Sequence, residues 1–409
     1  MSISGGNNAA VGIIAEYNPF HKGHLHHLRQ SRELTGAETV VAVMSGDFAQ
    51  RGEPALLDKW KRAEAAVRNG VDLVVELPFL HACNSAEHFA MGGVKLLAAM
   101  GAVSFISFGS ESGDMAALWE VAEILSRETE EFKRHLKEAA DSGLSFPAAR
   151  QAAVEKVAGG AAAGLLLNPN NILAIEYLKQ IKRQGAALAP VTVKRRGAGY
   201  GEAAPEQGMA GAAAVRSLFL SERRDEALAY MPKEGRELYE GAAFARMEDF
   251  FSIVMYAART KSAEEIGETL SASEGLEHRL KSALDVAGDM EGLIKAVKSR
   301  RYTETRVRRF LLHNAFGITK ELFRRLSAPP SPGYFRVLAL NGRGRALLRR
   351  VKGASAGAVV TNLSRGRPTS LEGAEMLALD VLAADLYNLA LRRSFGGRSD
   401  YRARPYMLQ

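Results

Sequence analysis

Buried strands and amphipathic helices alternate along the first third of the chain. The run AAVGIIAEY (9–17) is apolar until its last two residues, which is typical of a strand buried on both faces of a sheet. Three similar runs, ETVVAVMSG (38–46), VDLVVELP (71–78) and VSFISFGS (103–110), follow at intervals filled by helical patterns. This alternation predicts an α/β fold with a doubly wound, Rossmann-like parallel sheet.

Later segments have different patterns and predict further parts of the chain. Residues 240–326 have helical periodicity, and SAPPSPG (327–333) is typical of a linker or a sharp loop. Short strands such as YFRVLAL and one long amphipathic helix follow it. We therefore expect an α/β domain over residues 1–222, a helical region over 223–330 and a small C-terminal α/β region over 331–409.

Composition is that of a globular protein. Of the 409 residues, 47% are hydrophobic and 24% are charged. A chain of this length is expected to form more than one hydrophobic core. Cys83 is the only cysteine, so an internal disulfide and a cysteine metal cluster are excluded and a reducing compartment is favoured. The start, MSISGGNNAA, lacks a signal-peptide pattern, and no apolar run approaches the ~18 residues of a membrane span. We expect a cytoplasmic protein that uses no membrane and shows no sign of an obligate protein partner.

Positive charge is concentrated in one segment. The chain carries +8, but residues 295–352 contain sixteen Lys and Arg and only two acids, Glu304 and Glu321, so this segment alone carries +14. A basic segment on an otherwise mildly acidic protein indicates a polyanionic partner. The alternative is that the arginines form a solvated helix face.

The first strand runs into an unusual turn, NPFHKGH (18–24). His21 and His24 are three residues apart, which places them on one side of a first helical turn. A glycine-containing turn between a buried strand and a helix start favours an anion, because free N–H groups and the helix dipole point towards it. The Walker motif is absent, and H-x-G-H takes its place. We predict a phosphate site; the alternatives are surface histidines or a zinc site.

The H-x-G-H turn resembles the signature of the HIGH-type nucleotidyltransferase superfamily. Longer blocks narrow the resemblance: GIIAEYNPFHKGH, MSGDFAQRGEPALLDKWKRA, GVDLVVELP, FGSE, NPNNILAIEYLK, VKRRGAGY and RRYTETRVRR. Together they are similar to the bacterial tRNA(Met) cytidine acetate ligase family. The similarity extends across the first domain and returns over residues 300–318.

The resemblance implies a two-step ligase reaction. Acetate attacks the α-phosphate of ATP to give acetyl-adenylate, and the acetyl group then passes to N4 of the wobble cytidine of elongator tRNA(Met). ATP would be a substrate and tRNA and acetate the partners. No protein cage for a metal is visible in the sequence, and Mg²⁺ is expected to arrive with the ATP phosphates.

The resemblance also implies site residues. His21, His24 and Lys22 would be catalytic, because positioned cations stabilise the charge that develops on phosphate oxygens in the transition state. In NPNNIL we favour Asn170 over Asn171 for a nucleotide contact, the alternative for either being a helix cap. The expected ATP contacts are Gly12, Ile13, Ile14, Ala15, Glu16, Tyr17, Asn18, Pro19, Phe20, His21, Lys22, Gly23, His24, Gly109, Asn170, Arg195, Arg196 and Arg216.

The chain departs from the family at one place. Relatives usually carry a hydroxyl-rich S-A-T-x-I-R-like run, a second phosphate-binding signature, whereas this chain reads AGAAAVR (210–216). Arg216 is kept, but Gly211 and Ala213 stand where Ser and Thr are expected. Two hydroxyls for pyrophosphate oxygens are therefore missing, although N–H groups at a helix start can do part of this work.

The segment KAVKSRRYTETRVRRFLLHNAFG (295–317) predicts a basic turn followed by a helix. Arginines beside a tyrosine suit phosphate contact and stacking on unpaired bases, whereas Phe310, Leu311 and Phe316 fit a core. The expected RNA contacts are Arg300, Arg301, Tyr302, Arg306, Arg308 and Arg309.

Three functions compete at this point. The first is the ATP-dependent RNA-acetylating ligase. The second is a small-molecule adenylate-forming or nucleotidyl-transfer enzyme with no RNA substrate, in which the basic segment is structural. The third is a non-catalytic RNA-binding protein with a degraded nucleotide site, favoured by the missing hydroxyls at 211 and 213.

Overall fold

A mainly parallel sheet forms the centre of the molecule. The structure, a computed structural model, describes residues 9–195, 209–273, 275–299, 302–355, 357–392 and 399–409. Its strands are β1 (Ala10–Ala15), β2 (Thr39–Ser45), β3 (Phe48–Ala49), β4 (Glu53–Pro54), β5 (Leu73–Leu77), β6 (Phe105–Ser110), β7 (Ala189–Lys194), β8 (Tyr334–Leu340), β9 (Ala358–Val360) and β10 (Tyr406–Met407). Strands β3 and β4 form a separate two-stranded hairpin, and the others make one sheet.

The helices pack against this sheet and beyond its edge. They are α1 (Lys22–Thr35), α2 (Lys59–Arg68), α3 (Phe79–Ala82), α4 (Ala86–Ala99), α5 (Met115–Arg127), α6 (Glu130–Asp141), α7 (Phe146–Leu165), α8 (Pro169–Gln184), α9 (Ala212–Leu220), α10 (Arg224–Ala229), α11 (Phe251–Thr260), α12 (Ala263–Gly267), α13 (Leu276–Ala283), α14 (Met290–Val297), α15 (Glu304–Phe316), α16 (Lys320–Ser327), α17 (Gly342–Ala354), α18 (Leu371–Ala390) and α19 (Ser399–Arg402). Within the described residues, every helix is too short or too polar to cross a membrane.

The sheet order is β10-β8-β5-β2-β1-β6-β7, with β9 beside β8. Strands β1, β2, β5, β6 and β7 are parallel, which confirms the predicted doubly wound sheet. Strand β8 joins it antiparallel to β5. The expected C-terminal α/β region therefore forms no sheet of its own, because its strands extend the central one and cover the edge that β5 would otherwise expose. The domain boundaries proposed from the sequence remain a prediction.

Alternation along β2 shows why its sequence is apolar throughout. Val41 and Val43 belong to the core under one face of the sheet, whereas Val40, Ala42 and Met44 belong to the core under the other. Successive strand residues point to opposite faces, so a strand covered on both sides needs apolar residues at every position.

A third core holds the helical region together. Phe310, Leu311 and Phe316 of α15 lie in it, as predicted, with residues of α11, α13, α14 and α18. Phe48 of the β3–β4 hairpin also lies in this core, so the hairpin is anchored in the helical region although it follows β2 in sequence.

Candidate active site

The turn after β1 lies where a parallel sheet of this kind binds ligands. Helix α1 leads from β1 to β2 on one side, and β6 pairs with β1 on the other, so the strand order reverses at this point. Ligands bind at the carboxyl ends of strands at such a switch point. Tyr17 has a left-handed φ of 46°, and the Asn18–Pro19 peptide bond is cis. The Tyr17 ring packs edge-on against His24, with centroids 5.0 Å apart.

His21 and His24 form a stacked pair at the start of α1. Their ring centroids are 3.8 Å apart and their planes are inclined by 27°. Nδ1 of His21 accepts from the Gly23 N–H at 3.0 Å, and Nδ1 of His24 accepts from the His21 N–H at 3.3 Å. Because each Nδ1 accepts a backbone proton, each neutral ring carries its own proton on Nε2 and has a donor left for a ligand.

Both imidazoles are neutral in the folded protein. Burial, together with the nearby guanidinium groups of Arg195 and Arg216, lowers the pKa of His21 to about 3. Burial and then the adjacent His21 ring lower the pKa of His24 well below its usual value. Arg195 directly follows β7 and Arg216 lies in α9, so the tertiary structure brings these two predicted phosphate contacts near the histidines.

Several residues that were expected to contact ATP pack against other parts of the protein. A Cβ on Gly12 would lie 2.4 Å from Leu97, and a Cβ on Gly23 would lie 2.8 Å from the His21 ring, so Gly23 makes room for that ring. Ile13, Tyr17 and Phe20 are core residues. Their side chains pack in this core, and their role as ATP contacts stays a prediction. Ile14, Ala15 and Glu16 are partly exposed at the strand end, Asn18 and Pro19 are buried, and Lys22 is exposed.

Glu111 organises the wall beside β6. Its carboxylate accepts from the Asn170 side chain at 2.6 Å and from the Asn171 N–H at 2.8 Å. The Oδ1 atom of Asn171 accepts from the Glu111 N–H at 2.9 Å, and Asn171 is buried, so its role is structural. The cap residue of α8 is Asn168, so the helix-cap alternative is wrong for both asparagines. Asn170 faces Arg195, with Oδ1 to Nη1 3.4 Å.

Gly109 and Arg195 face each other across the ends of β6 and β7. A Cβ on Gly109 would stand 3.4 Å from Arg195 Cγ, so the arginine chain lies over the glycine. Arg196 lies outside the described residues. Glu111 belongs to the sequence motif FGSE. The motif alone did not show that its carboxylate accepts hydrogen bonds from Asn170 and Asn171.

Arg216 is held near His21 by two hydrogen bonds. Its Nη1 donates to the Asn18 carbonyl at 3.1 Å, and its Nη2 donates to Glu53 Oε1 at 2.6 Å. Gly211 is the cap residue of α9 and has no side-chain cap bond. A Cβ on Gly211 would meet nothing within 4 Å, so a serine would fit at this position.

The described arginines among the predicted RNA contacts differ in whether they form an ion pair with a carboxylate. Arg308 pairs with Glu304 and with Glu53, whereas Arg306 donates to Ser273 and Arg309 donates to the Gln50 carbonyl at 3.2 Å. Among the described residues, Arg306 and Arg309 have no carboxylate ion pair. Arg300 and Arg301 lie outside the described residues.

Tyr302 does not have the exposure that base stacking requires. Its side chain is 4% exposed in the helical core, and its hydroxyl donates to the Ser273 carbonyl at 3.1 Å. The Arg306 guanidinium lies over its ring, 5.2 Å from the centroid. The expected stacking of Tyr302 on RNA bases is therefore wrong for this conformation, because the ring already packs in the protein.

The basic segment does not form a single surface. Arg336 of β8 is fully buried in the sheet. Helix α17 carries exposed Arg343, Arg345 and Arg349, but it starts beside the amino end of β5, where Gly344 packs on Asp72. Helix α15 instead lies against the β3–β4 hairpin at the carboxyl ends of the strands, where Gly52 contacts the Arg309 backbone. Within the described part of the +14 segment, α15 is connected to the candidate active site, because its Arg308 shares Glu53 with Arg216.

A buried ionic cluster lies under the carboxyl end of β5. Lys59 is fully buried and donates to Glu76 at 2.8 Å and to Asp400 at 2.7 Å. Burial opposes the charge of Lys59, but the Asp400 and Glu76 carboxylates raise its pKa. Burial raises the pKa of Glu76 and also that of Asp47, the latter to about 6. Glu76 thus pairs with a basic neighbour, and Lys59 joins Glu76 of β5 to Asp400 of α19. In the described part of the chain, no group of three or more His, Cys, Asp or Glu is placed to hold a metal ion.

Comparison with known proteins agrees with this geometry. The family model described as HIGH Nucleotidyl Transferase matches residues 8–400. A protein named tRNA(Met) cytidine acetate ligase from Thermoanaerobacter sp. (strain X514) is 40% identical over 390 residues, which cover 94% of this chain and 96% of that protein. One of the same name from Syntrophotalea carbinolica is 41% identical over 98% of this chain and 91% of its own length.

A solved structure has the same fold over its whole length. The crystal structure of Thermotoga maritima TmcAL bound with alpha-thio ATP superposes with a TM-score of 0.89 at 33% identity, covering 98% of this chain and 99% of that one. The chain therefore belongs to the HIGH nucleotidyl transferase family and, within it, to the tRNA(Met) cytidine acetate ligases.

Proposed function

We propose that this protein uses ATP to activate acetate and acetylates N4 of the wobble cytidine of elongator tRNA(Met). The proposal rests on family membership and on one observation: two stacked, neutral histidines present Nε2 donors at the switch point of the sheet, near Arg195 and Arg216. This arrangement supports a phosphate-binding role over the alternative of surface histidines, because histidine donors and arginine cations gather around one turn.

In the first step, an acetate oxygen attacks the α-phosphorus of ATP and the bond to the pyrophosphate oxygen breaks. His21 and His24 donate through Nε2–H to phosphate oxygens, and Arg195 and Arg216 supply positive charge as pyrophosphate leaves. Neutral histidines serve here as oriented donors, so they need no proton exchange with solvent. Mg²⁺ would come bound to the ATP phosphates and supply further charge neutralisation.

In the second step, the cytidine N4 attacks the acetyl carbonyl carbon, the bond between that carbon and the AMP oxygen breaks, and N4 loses a proton. The anticodon loop must therefore reach the carboxyl edge of the sheet. Arg306 and Arg309 of α15 border this edge without carboxylate pairs among the described residues, which suits contact with RNA phosphates.

A labelling assay separates this function from the two alternatives. Labelled acetate, ATP and bulk tRNA are incubated with the protein, and both labelled RNA and released pyrophosphate are measured. We expect acetate- and ATP-dependent labelling of RNA. Pyrophosphate release that needs acetate but gives no labelled RNA would support the small-molecule enzyme. Absence of both signals, with tRNA still bound, would support a non-catalytic RNA-binding protein.

A further inference from the structure

The β3–β4 hairpin connects the candidate nucleotide site with α15. At its base, the Phe48 ring packs edge-on against Phe316, with centroids 5.0 Å apart. At its tip, Gly52 has φ +74°, and its N–H donates to the Ala49 carbonyl at 3.0 Å. A Cβ on Gly52 would stand 2.5 Å from the backbone nitrogen of Arg309, so the tip lies directly on α15. The hairpin is thus fixed to the helical region at both ends.

Gln50 ties the same hairpin to the end of β1. Its N–H donates to Glu16 Oε1 at 2.8 Å, and its side chain donates to the Asn84 carbonyl at 2.8 Å. Its own carbonyl accepts from Arg309 Nη1 at 3.2 Å. One residue therefore contacts the strand that leads to the histidines and the helix that carries the basic residues.

Glu53 makes the most direct connection. Its Oε1 accepts from Arg216 at 2.6 Å, and its Oε2 accepts from Arg308 at 3.3 Å. The side chains are partly buried, with 18% of Glu53, 14% of Arg216 and 28% of Arg308 exposed. Charge-assisted bonds of this kind are stronger than those of exposed surface pairs. A single carboxylate is shared by an arginine beside the histidine pair and an arginine on the basic helix.

We propose that Glu53 is a positioning residue through which tRNA binding weakens the hold of Arg216 on the ATP and pyrophosphate phosphates. The inference rests on the proposed function. When an RNA phosphate draws Arg308 away, Arg216 alone balances the charge of Glu53 and is held more firmly against it. Arg216 is then less available to the phosphates, so pyrophosphate is released when tRNA arrives for the second step. By linkage, ATP weakens tRNA binding by the same factor.

The test is the affinity for ATP with and without saturating tRNA, measured without acetate so that no acetyl transfer occurs. In the unchanged protein we expect tRNA to raise the Kd for ATP by about fivefold or more, the range of ordinary allosteric coupling. In Glu53→Gln, which keeps the size and loses the charge, both ligands should bind and the factor should fall to about one. Glu321→Gln is the matched control, because Glu321 pairs with Arg324 on the exposed face of α16, and it should keep the coupling.

Arg308→Gln provides a second route to the same answer. It removes the other partner of Glu53, so the coupling should be lost in this variant too, and the double variant should lose no more. Coupling that persists in Glu53→Gln, or in Arg308→Gln if the first variant melts before assay, overturns the inference. Wild-type protein that binds both ligands without coupling overturns it while leaving the ligase function intact. Failure to bind tRNA at all overturns both.

Discussion

The imidazole rings of His21 and His24 stack with their centroids 3.8 Å apart, and this contact favours the neutral state of both side chains. Two protonated imidazoles at that separation would repel each other, and His21 is buried and His24 partly buried near arginines. The pair therefore works as two neutral donors held by backbone N–H groups, whereas the positive charge of the site comes from arginine. The sequence pattern alone suggested cationic histidines as one source of that charge.

Removing either donor should slow chemistry more than it weakens binding. We expect alanine at His21 or His24 to lower kcat by about 10²–10³, with a smaller rise in the KM for ATP, since such a donor acts mainly in the transition state. The readout is acetate-dependent pyrophosphate release. His278→Ala is the control, because His278 is 73% exposed in the helical region. A higher KM with kcat unchanged would make the histidines ordinary binding residues.

The lowered pKa of His21 predicts a pH dependence of stability. Its folded-state pKa is about 3, below the ordinary value, so on acidification the unfolded chain takes up this proton first. The stabilising contribution is therefore complete above pH ~6.5 and is lost below it, at about 1.4 kcal/mol per pH unit. Urea unfolding from pH 7 to pH 5 should show a steeper loss in the wild type than in His21→Asn, which keeps a helix cap. Parallel curves would mean that His21 titrates normally.

Restoring the missing hydroxyls should help the first step. Gly211→Ser with Ala213→Thr is expected to raise pyrophosphate-forming turnover and to change stability by only a few tenths of a kcal/mol, since glycine already serves tolerably as a helix cap. The site has room for the serine, because no atom lies within 4 Å of a Cβ at 211. Ala214→Ser, on the exposed part of the same turn, is the control. Unchanged or lower turnover would show that backbone N–H groups already bind pyrophosphate.

The salt dependence of tRNA binding should identify the RNA side. Arg306→Gln and Arg309→Gln should each weaken binding and reduce the slope of log K against log salt by roughly 0.7–0.9, because each phosphate contact releases counterions. Acetyl-adenylate formation without RNA should survive. Arg324→Gln makes the same charge change in the exposed Arg324–Glu321 pair of α16 and should leave the slope unaltered. Equal slopes in all variants would remove α15 from the interface.

The buried cluster around Lys59 should be essential for stability. Lys59→Met leaves Glu76 and Asp400 buried without their cation, so we expect a loss of about 3–5 kcal/mol in the free energy of unfolding. Urea denaturation measures this directly, with Lys61→Met on the same helix as the control for charge and propensity. A loss no greater than that of the control would show that the carboxylates are neutral without Lys59.

Local patterns were sufficient for the elements and for the principal turn. The spacing of apolar residues predicted the four parallel strands and the helices between them. The histidine turn was found because its residues are adjacent in sequence and its place after a buried strand has a known consequence. The burial of Tyr302 was missed because a tyrosine beside arginines has the same local pattern whether it packs inward or outward.

By itself the sequence determined what depends on neighbours a few residues apart: the period of the strands and helices, and a turn with two histidines after the first strand. Only the tertiary structure decided which charges meet, because those contacts join distant parts of the chain. Glu53 and Arg216 are 163 residues apart, and Lys59 and Asp400 are 341 apart. Burial in turn decided the protonation of the histidines, since a pKa depends on the surroundings that the fold brings to a side chain.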